Sequence, residues 1–352
     1  MAQFHSLNIK SVEKVTDKSV ALSFDIPENL KENFDFKAGQ YITLKTTING
    51  EDIRRDYSIC SSKNSGEVTV GVKAVENGTF SVYANEELKT GDAIEVAEPN
   101  GRFVFEANEV KTRTIAAFAA GSGITPILSI AKTLLEDEPF SNFILVYGNK
   151  SIADAMFVKD LLELMTVYGN RFHVHFIYSQ SQEADALFGR IEKSTVNLIV
   201  KNKYKGVSIE KFYLCGPEQM IHTVKDVLVE NGVKEKSILF ELFTAPVETE
   251  SNSETEILSG DSKIKVIVDE EEFEFSMSKE TTILEASLKQ DIDAPYSCQG
   301  GICSSCIAKV IEGEATMRQN NILTEGEVAE GLILTCQACP TSNSIVVDYD
   351  DV

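Results

Sequence analysis

Cys298-Gln299-Gly300-Gly301-Ile302-Cys303-Ser304-Ser305-Cys306, followed 29 residues later by Cys336, is the stretch on which the rest of the chain turns. Four thiols spaced C-x4-C-x2-C-x29-C match the plant-type spacing for a [2Fe–2S] cluster, in which four thiolates hold two irons. The filling residues suit that purpose. Gly300 and Gly301 let backbone N–H groups curl towards sulfur, while Ser304 and Ser305 are too small to crowd it. A four-cysteine zinc site competes, because Cys303-x2-Cys306 and Cys336-x2-Cys339 form two CxxC pairs. That reading uses Cys339 and leaves Cys298 idle. Spacing, the glycine loop and acidic surroundings favour Cys298, Cys303, Cys306 and Cys336 as ligands, with Cys339 a small buried apolar residue.

Outward from this loop the composition changes. The 352 residues carry 55 acidic and 33 basic side chains, a net charge of −22. From Ala245 to Val352 there are 22 acidic and 6 basic residues, so −16 of that charge lies in the last third. An acidic module on a nearly balanced body implies a partner surface of its own. A chain this acidic, without a basic stripe, is not expected to bind nucleic acid. Five of the seven cysteines fall in the last 55 residues, which points to metal or cluster ligation rather than a disulfide frame. Pro246 to Gly260 reads as a linker by composition. Beyond it, Lys263–Asp269 and Glu272–Ser276 suggest a hairpin, and Thr282–Gln290 a helix.

Upstream, apolar runs alternate with helical segments. Thr114–Ala120 leads into Gly121-Ser122-Gly123 and a helix over Pro126–Leu135. Phe143–Tyr147, Phe172–Tyr178 and Lys211–Cys215 read as further strands, with helices over Ala155–Met165 and Gln219–Asn231. This alternation predicts a parallel, doubly wound α/β sheet. The uncharged stretch Thr114–Ala131 is long enough to raise a membrane span. Its Gly121, Gly123 and Pro126 fit a strand, a turn and a helix start better, so no membrane insertion is expected. No secretory leader opens the sequence, and a cytoplasmic protein is expected. Ala120-Gly121-Ser122-Gly123-Ile124-Thr125-Pro126 lies where a dinucleotide fold places its phosphate turn, but lacks the third glycine of the usual fingerprint. A plain structural turn is the competing reading. Tyr213-Leu214-Cys215-Gly216-Pro217-Glu218 gives a second strand-end turn in the same sheet. Cys215 there is either a buried hydrophobe or a neighbour of a nicotinamide.

The first hundred residues read as all-β. Val20–Phe24, Tyr41–Thr46, Val68–Val75 and Ala93–Ala97 are separated by turn signals at Gly39, Asn49-Gly50, Ser65-Gly66, Gly91 and Asn100-Gly101, which predicts an antiparallel barrel or sandwich. Arg55-Asp56-Tyr57-Ser58 ends one strand. Arg supplies fixed charge for a pyrophosphate, Tyr a flat face for a flavin, and Ser a hydroxyl near the ring's polar edge. Four such residues can equally be an exposed strand. Gly78-Thr79-Phe80-Ser81 opens a short helix whose free N–H groups suit a phosphate.

Taken together these motifs resemble the ferredoxin–NADP reductase superfamily, in its branch with a C-terminal plant-type ferredoxin domain, nearest to the reductases of phenylacetyl-CoA epoxidases and 3-ketosteroid hydroxylases. The resemblance covers nearly the whole chain. It implies an FAD-binding β-barrel over 1–108, an NAD(P)-binding α/β domain over 109–244, a linker over 245–261 and a β-grasp [2Fe–2S] domain over 262–352. It implies that Tyr57 stacks on the isoalloxazine, Ser58 approaches flavin N5 and Arg55 meets the FAD pyrophosphate. Val72 and Lys73 match the next strand, and Gly78, Thr79, Phe80 and Ser81 the pyrophosphate turn. Gly121, Ser122, Gly123, Thr125 and Pro126 form the nicotinamide-dinucleotide loop, with Cys215, Gly216 and Pro217 opposite. Phe243 takes the place of the terminal aromatic beside the flavin. The family's ferredoxin pattern has no ligand at the place of Cys339.

The function implied is passage of electrons from NAD(P)H through FAD to a [2Fe–2S] cluster and on to an oxygenase that docks on the acidic C-terminal domain. No side-chain acid or base is required by that scheme. A reductase for a Rieske hydroxylase or a desaturase is an alternative, and a carrier or redox-sensing module without nicotinamide turnover is one of another class. The resemblance favours NADPH over NADH. After Ser179, itself a candidate cofactor-binding residue, Gln180 stands where many NADP-specific relatives have Arg, and Lys150 and Arg190 are the residues left to hold a 2′-phosphate. No acidic residue directly follows Phe172–Tyr178 to bind a free ribose diol.

Overall fold

The computed structural model describes residues 3–243 and 260–352, in two compact units, one of them Phe4–Phe243. The expected linker over 245–261 lies almost wholly outside the described residues.

The first unit begins with six antiparallel strands: β1 (Phe4–Thr16), β2 (Ser19–Asp25), β3 (Tyr41–Ile48), β4 (Glu51–Ser58), β5 (Val68–Lys73) and β6 (Ala93–Ala97). Their order is β4-β3-β6-β1-β2-β5. An Ile59–Val70 bridge, with the Cys60 N–H donating to the Thr69 carbonyl at 2.8 Å, joins the two edges and closes a barrel. Leu7, Ile9, Leu22, Ile42, Leu44 and Val96 alternate inward and fill it. Helix α1 (Thr79–Glu86) packs on β5. The strand expected over Val68–Val75 ends at Lys73, where the chain turns into the Val75–Gly78 bend that starts α1.

From residue 114 the period changes. β7 (Thr114–Ala120), α2 (Ile124–Asp137), β8 (Asn142–Asn149), α3 (Val158–Tyr168), β9 (Phe172–Tyr178), β10 (Leu187–Phe188), α4 (Lys193–Asn197), β11 (Ile209–Cys215), α5 (Glu218–Glu230) and β12 (Ile238–Glu241) build a six-stranded parallel sheet. The order β10-β9-β8-β7-β11-β12 reverses direction between β7 and β11, the place where such sheets open a ligand crevice. The apolar run over 114–131 is therefore a buried strand and a core helix. Among the described residues no helix is long and apolar enough to cross a membrane. Helix α3 starts three residues later than the periodicity suggests. Phe157, at φ 58°, is in the left-handed region and cannot continue a helical turn backwards.

The second unit has β13 (Asp261–Val268), β14 (Glu271–Ser278), α6 (Ile283–Leu288), β15 (Ile307–Glu312), β16 (Ala315–Met317), α7 (Glu325–Ala329), β17 (Leu332–Leu334), β18 (Ala338–Pro340) and β19 (Ser344–Asp348). Five strands form a mixed sheet, β14-β13-β19-β15-β17, and β16 pairs with β18. Its core gathers Ile264, Val266, Ile283, Leu284, Ile345 and Val347, so α6 lies on the sheet as a β-grasp requires. The β13–β14 turn holds Asp269 and Glu270 at positive φ without a glycine. The Asp350 carboxylate compensates by accepting both their N–H groups, at 2.9 and 2.8 Å.

Candidate flavin, nucleotide and iron–sulfur sites

Alternation along β4 puts Arg55 and Tyr57 on one face and buries Ser58 on the other. The Tyr57 ring is half-buried, with its centroid 5.4 Å from that of Phe80 and a tilt of 36°. Phe80 and Val72 are themselves barrel core, so they shape the site from behind. Arg55 is exposed and donates to the Arg54 carbonyl at 2.7 Å. Gly78 precedes Thr79 because a Cβ there would stand 2.4 Å from Ser81 Oγ. Ser81 Oγ accepts from the Val75 N–H at 3.2 Å, which fixes the bend. Gly78 has no side chain to cap the first N–H groups of α1, so an anion can. Lys73 donates to the Asp154 carbonyl at 3.3 Å, and partial burial lowers its pKa.

Across the unit, the turns after β7 and β11 press together. A Cβ on Gly123 would lie 2.2 Å from the Cys215 carbonyl oxygen, and one on Gly216 would lie 3.1 Å from the Ala120 nitrogen. Both glycines answer a backbone-to-backbone approach. Gly121 sits at φ 57°, and its carbonyl accepts from the Tyr147 hydroxyl at 3.0 Å. The same hydroxyl accepts from the Met156 N–H at 3.1 Å. Thr125 and Pro126 are buried in the first turn of α2. Thr125 Oγ1 donates to the Ser122 carbonyl at 3.0 Å, and its methyl stands where a Cβ on Gly71 would come within 2.8 Å. Ser122 between the two glycines is half-buried. Pro217 is exposed at the start of α5. At the far side Ser179 donates its N–H to the Asn149 carbonyl at 3.0 Å, while Lys150 and Arg190 are exposed cations.

The structure adds one residue that the sequence reading passed over. Glu241 ends β12 in register with Cys215, and Ser58 Oγ donates to its Oε2 at 3.2 Å. Barrel hydroxyl, sheet thiol and sheet carboxylate thus meet between the flavin strand and the nucleotide turn. Burial pushes the Glu241 carboxyl up to about 8, with Asp56 adding to it and the Ser58 bond opposing. The same burial, reinforced by Glu241, holds Cys215 as a neutral thiol. A carboxyl of this kind can hold a proton at neutral pH. The available signal was a lone acid closing an otherwise apolar parallel strand, Ile238–Glu241. Phe243, 38% exposed, stands two residues beyond.

In the second unit the four expected ligands converge. The Cys298 thiol faces Cys303 and Cys336, and Cys306 faces Cys336. Cys303, Cys306 and Cys336 are buried and Cys298 half-buried. The loop is bent by Gln299 at φ 53° and Gly301 at φ 71°. A Cβ on Gly301 would sit 2.9 Å from Gln337 Cγ, and Gln337 Nε2 donates to the Gln299 carbonyl at 3.0 Å. The Gly300 N–H donates to Cys298 Sγ at 3.4 Å. Hydrogen bonds from Cys303 first, then Cys336, and from the Gly300 and Ile302 amides push the Cys298 thiol far down. Cys339 is elsewhere: it lies on β18 opposite Thr316, burial pushes its thiol up, and Arg318 is its charged neighbour. Ser297 Oγ, next in sequence to Cys298, Asn321 Nδ2, whose backbone N–H donates to the Gly301 carbonyl, and the Tyr349 hydroxyl, in the core with Cys306 and Cys336, are buried without a hydrogen-bond partner among the described residues. The thiols are linked pairwise, and among the described residues no three ligating groups are placed to hold a single metal ion, so the four fit a sulfide-bridged cluster better than one zinc.

Comparison with known proteins finds three family matches along the chain. Residues 6–105 match the oxidoreductase FAD-binding domain, 118–226 the oxidoreductase NAD-binding domain, and 266–341 the 2Fe-2S iron-sulfur cluster binding domain. The chain is 37% identical to a subunit of 1,2-phenylacetyl-CoA epoxidase from Escherichia coli (strain K12), over 99% of each chain. It belongs to the family of that epoxidase component. It is also 28% identical to the ferredoxin reductase component of 3-ketosteroid-9-alpha-monooxygenase from Rhodococcus rhodochrous, over 97% of this chain and 96% of that one. Phthalate dioxygenase reductase shares the fold, with a TM-score of 0.61, 24% identity and 98% of each chain covered. As a member of this family, the chain is an FAD- and [2Fe–2S]-dependent electron-transfer oxidoreductase that uses a nicotinamide nucleotide.

Proposed function

We propose that this chain is the reductase component of a multicomponent oxygenase of the phenylacetyl-CoA epoxidase kind, drawing on NADPH in the cytoplasm. The full-length likeness to the Escherichia coli epoxidase component carries the choice of oxygenase. When bound, FAD and the [2Fe–2S] cluster supply the change from paired to single electrons.

The residues provide position. Tyr57, backed by Phe80, offers the flavin a fixed aromatic face, and Arg55 and the first turn of α1 meet its pyrophosphate. Gly121, Ser122 and Gly123 bring the nucleotide close to the backbone, and the neutral Cys215 thiol and Phe243 border its nicotinamide. Glu241 holds a proton near neutral pH and accepts the Ser58 hydroxyl at Oε2. Cys298, Cys303, Cys306 and Cys336 are the cluster ligands. Lys150 and Arg190 receive the 2′-phosphate, and the acidic module docks on a basic face of the oxygenase.

The deciding experiment is reconstitution of purified chain with the oxygenase components of phenylacetyl-CoA epoxidase. Expected are NADPH-dependent product formation, inhibition by salt and an NADPH preference that falls in Lys150→Ala and Arg190→Ala. Equal or greater coupling to a ketosteroid monooxygenase, whose reductase components are also full-length relatives, would move the assignment to that acceptor.

A further inference from the structure

Tyr349 follows β19 and is 6% exposed, packed in the same core as Cys306 and Cys336. Its N–H is anchored on the Ile267 carbonyl at 2.9 Å, which fixes the backbone that carries the ring. Its hydroxyl has no hydrogen-bond partner among the described residues. Burying a hydroxyl without an acceptor is costly, and phenylalanine would fill the same volume without that cost. Thr335 is its polar neighbour, near enough to oppose the rise of the phenol's pKa but outside hydrogen-bond geometry. Its Oγ1 and its N–H both donate to the Cys306 carbonyl, each at 3.0 Å, and so steady that ligand. A buried hydroxyl in the same core as two of the four thiols lacks only an electron-rich acceptor.

We propose that the Tyr349 hydroxyl donates a hydrogen bond to sulfur on the Cys306–Cys336 side of the [2Fe–2S] cluster and thereby raises its reduction potential. This rests on the ligand assignment made above. Reduction adds one electron, drawn from the flavin, and with it negative charge on the sulfurs. A donor aimed at them stabilises the reduced form more than the oxidised one. The hydrogen stays on the phenol oxygen and no proton is transferred. Tyr349 is thus a tuning residue, acting through sulfur rather than on nucleotide or flavin.

The test is an anaerobic redox titration of the full-length holoprotein, followed by EPR for the cluster and by absorbance for the flavin. Tyr349→Phe is expected to lower the cluster potential while the flavin potential, iron and sulfide content and Tm hold. The equilibrium between flavin and cluster should shift about tenfold towards the flavin, or about 59 mV for a one-electron couple. A second measurement reads the hydrogen bond itself. Holoprotein exchanged into D2O should show a deuterium coupling to the reduced cluster in pulsed EPR that the Tyr349→Phe holoprotein lacks. An unmoved potential in a variant with an intact cluster, a loss of Tm alone, or no deuterium coupling would each overturn the proposal. Wild-type protein free of iron and sulfide after anaerobic preparation would overturn the ligand assignment, and this inference with it.

Discussion

The thiol loop and the flavin–nucleotide crevice do related work by opposite means. Three of the four thiols sit within nine consecutive residues, and loop geometry sets the site: two positive-φ residues, one close glycine and a glutamine clamp. The crevice is assembled from Ser58, Gly123, Cys215 and Glu241, which are scattered over more than half of the first unit and meet only because β4, β7, β11 and β12 end together. A local site survives or fails on its own residues. A convergent site depends on the sheet register that gathers it.

The sharpest break in that comparison is Cys306→Ser. One thiolate of four is lost at a buried position, so the cluster signal and electron delivery beyond the flavin should vanish. NADPH should still bleach the flavin, because the crevice belongs to the other unit. Cys339→Ser should leave iron content unchanged. Anaerobic spectra and iron analysis of the two variants check both expectations, and equal iron loss would return the zinc-like pairing.

Next in size is Gly123→Ala. The new methyl meets the Cys215 carbonyl at 2.2 Å, so the two turns must separate. Overpacking of this kind costs about 1–3 kcal/mol and shifts backbone. Nucleotide KM should rise and flavin bleaching should slow by at least about tenfold, while the cluster stays intact. Stopped-flow reduction with both nucleotides reads it.

These two sites also differ in how legible they were. Cysteine spacing is a one-dimensional signal, and the candidate ligand set was readable from Cys298 to Cys306 and Cys336 without a fold. Strand and helix periodicity likewise gave the barrel, the parallel sheet and the hairpin of the acidic module. Glu241 was invisible for a different reason: its meaning comes from pairing with Cys215 and from Ser58 on a strand 183 residues away. Tyr349 and its unmet hydroxyl were hidden in the same way. The late start of α3 was missed because Phe157 accepts a backbone conformation that its side chain disfavours.

Glu241 gives a gentler test. Its folded pKa is raised from 4.5 to about 8, so the folded state holds a proton that the unfolded state has released. Stability from this group is complete below about pH 4.5 and is lost as pH rises through 8. Glu241→Gln keeps the bond with Ser58 but cannot titrate. Relative to the variant, wild type should lose Tm between pH 5 and 8.5, and any step in flavin reduction near pH 8 should flatten. Parallel Tm curves across that range would show that Glu241 titrates normally.

The smallest expected effect belongs again to the acidic module. Thr324 caps α7 in a reciprocal box: its hydroxyl accepts from the Glu327 N–H, and Glu327 returns the bond to the Thr324 N–H at 2.8 Å. α7 precedes β17, which pairs with β15, the strand leaving Cys306. Thr324→Ala should cost about 1 kcal/mol. If cluster stability is local to the thiol loop, iron release under mild denaturant should be nearly unchanged. If it is shared through β17 and β15, release should quicken by roughly fivefold, the rate equivalent of that energy. The second outcome would make the thiol loop, like the crevice, dependent on its sheet.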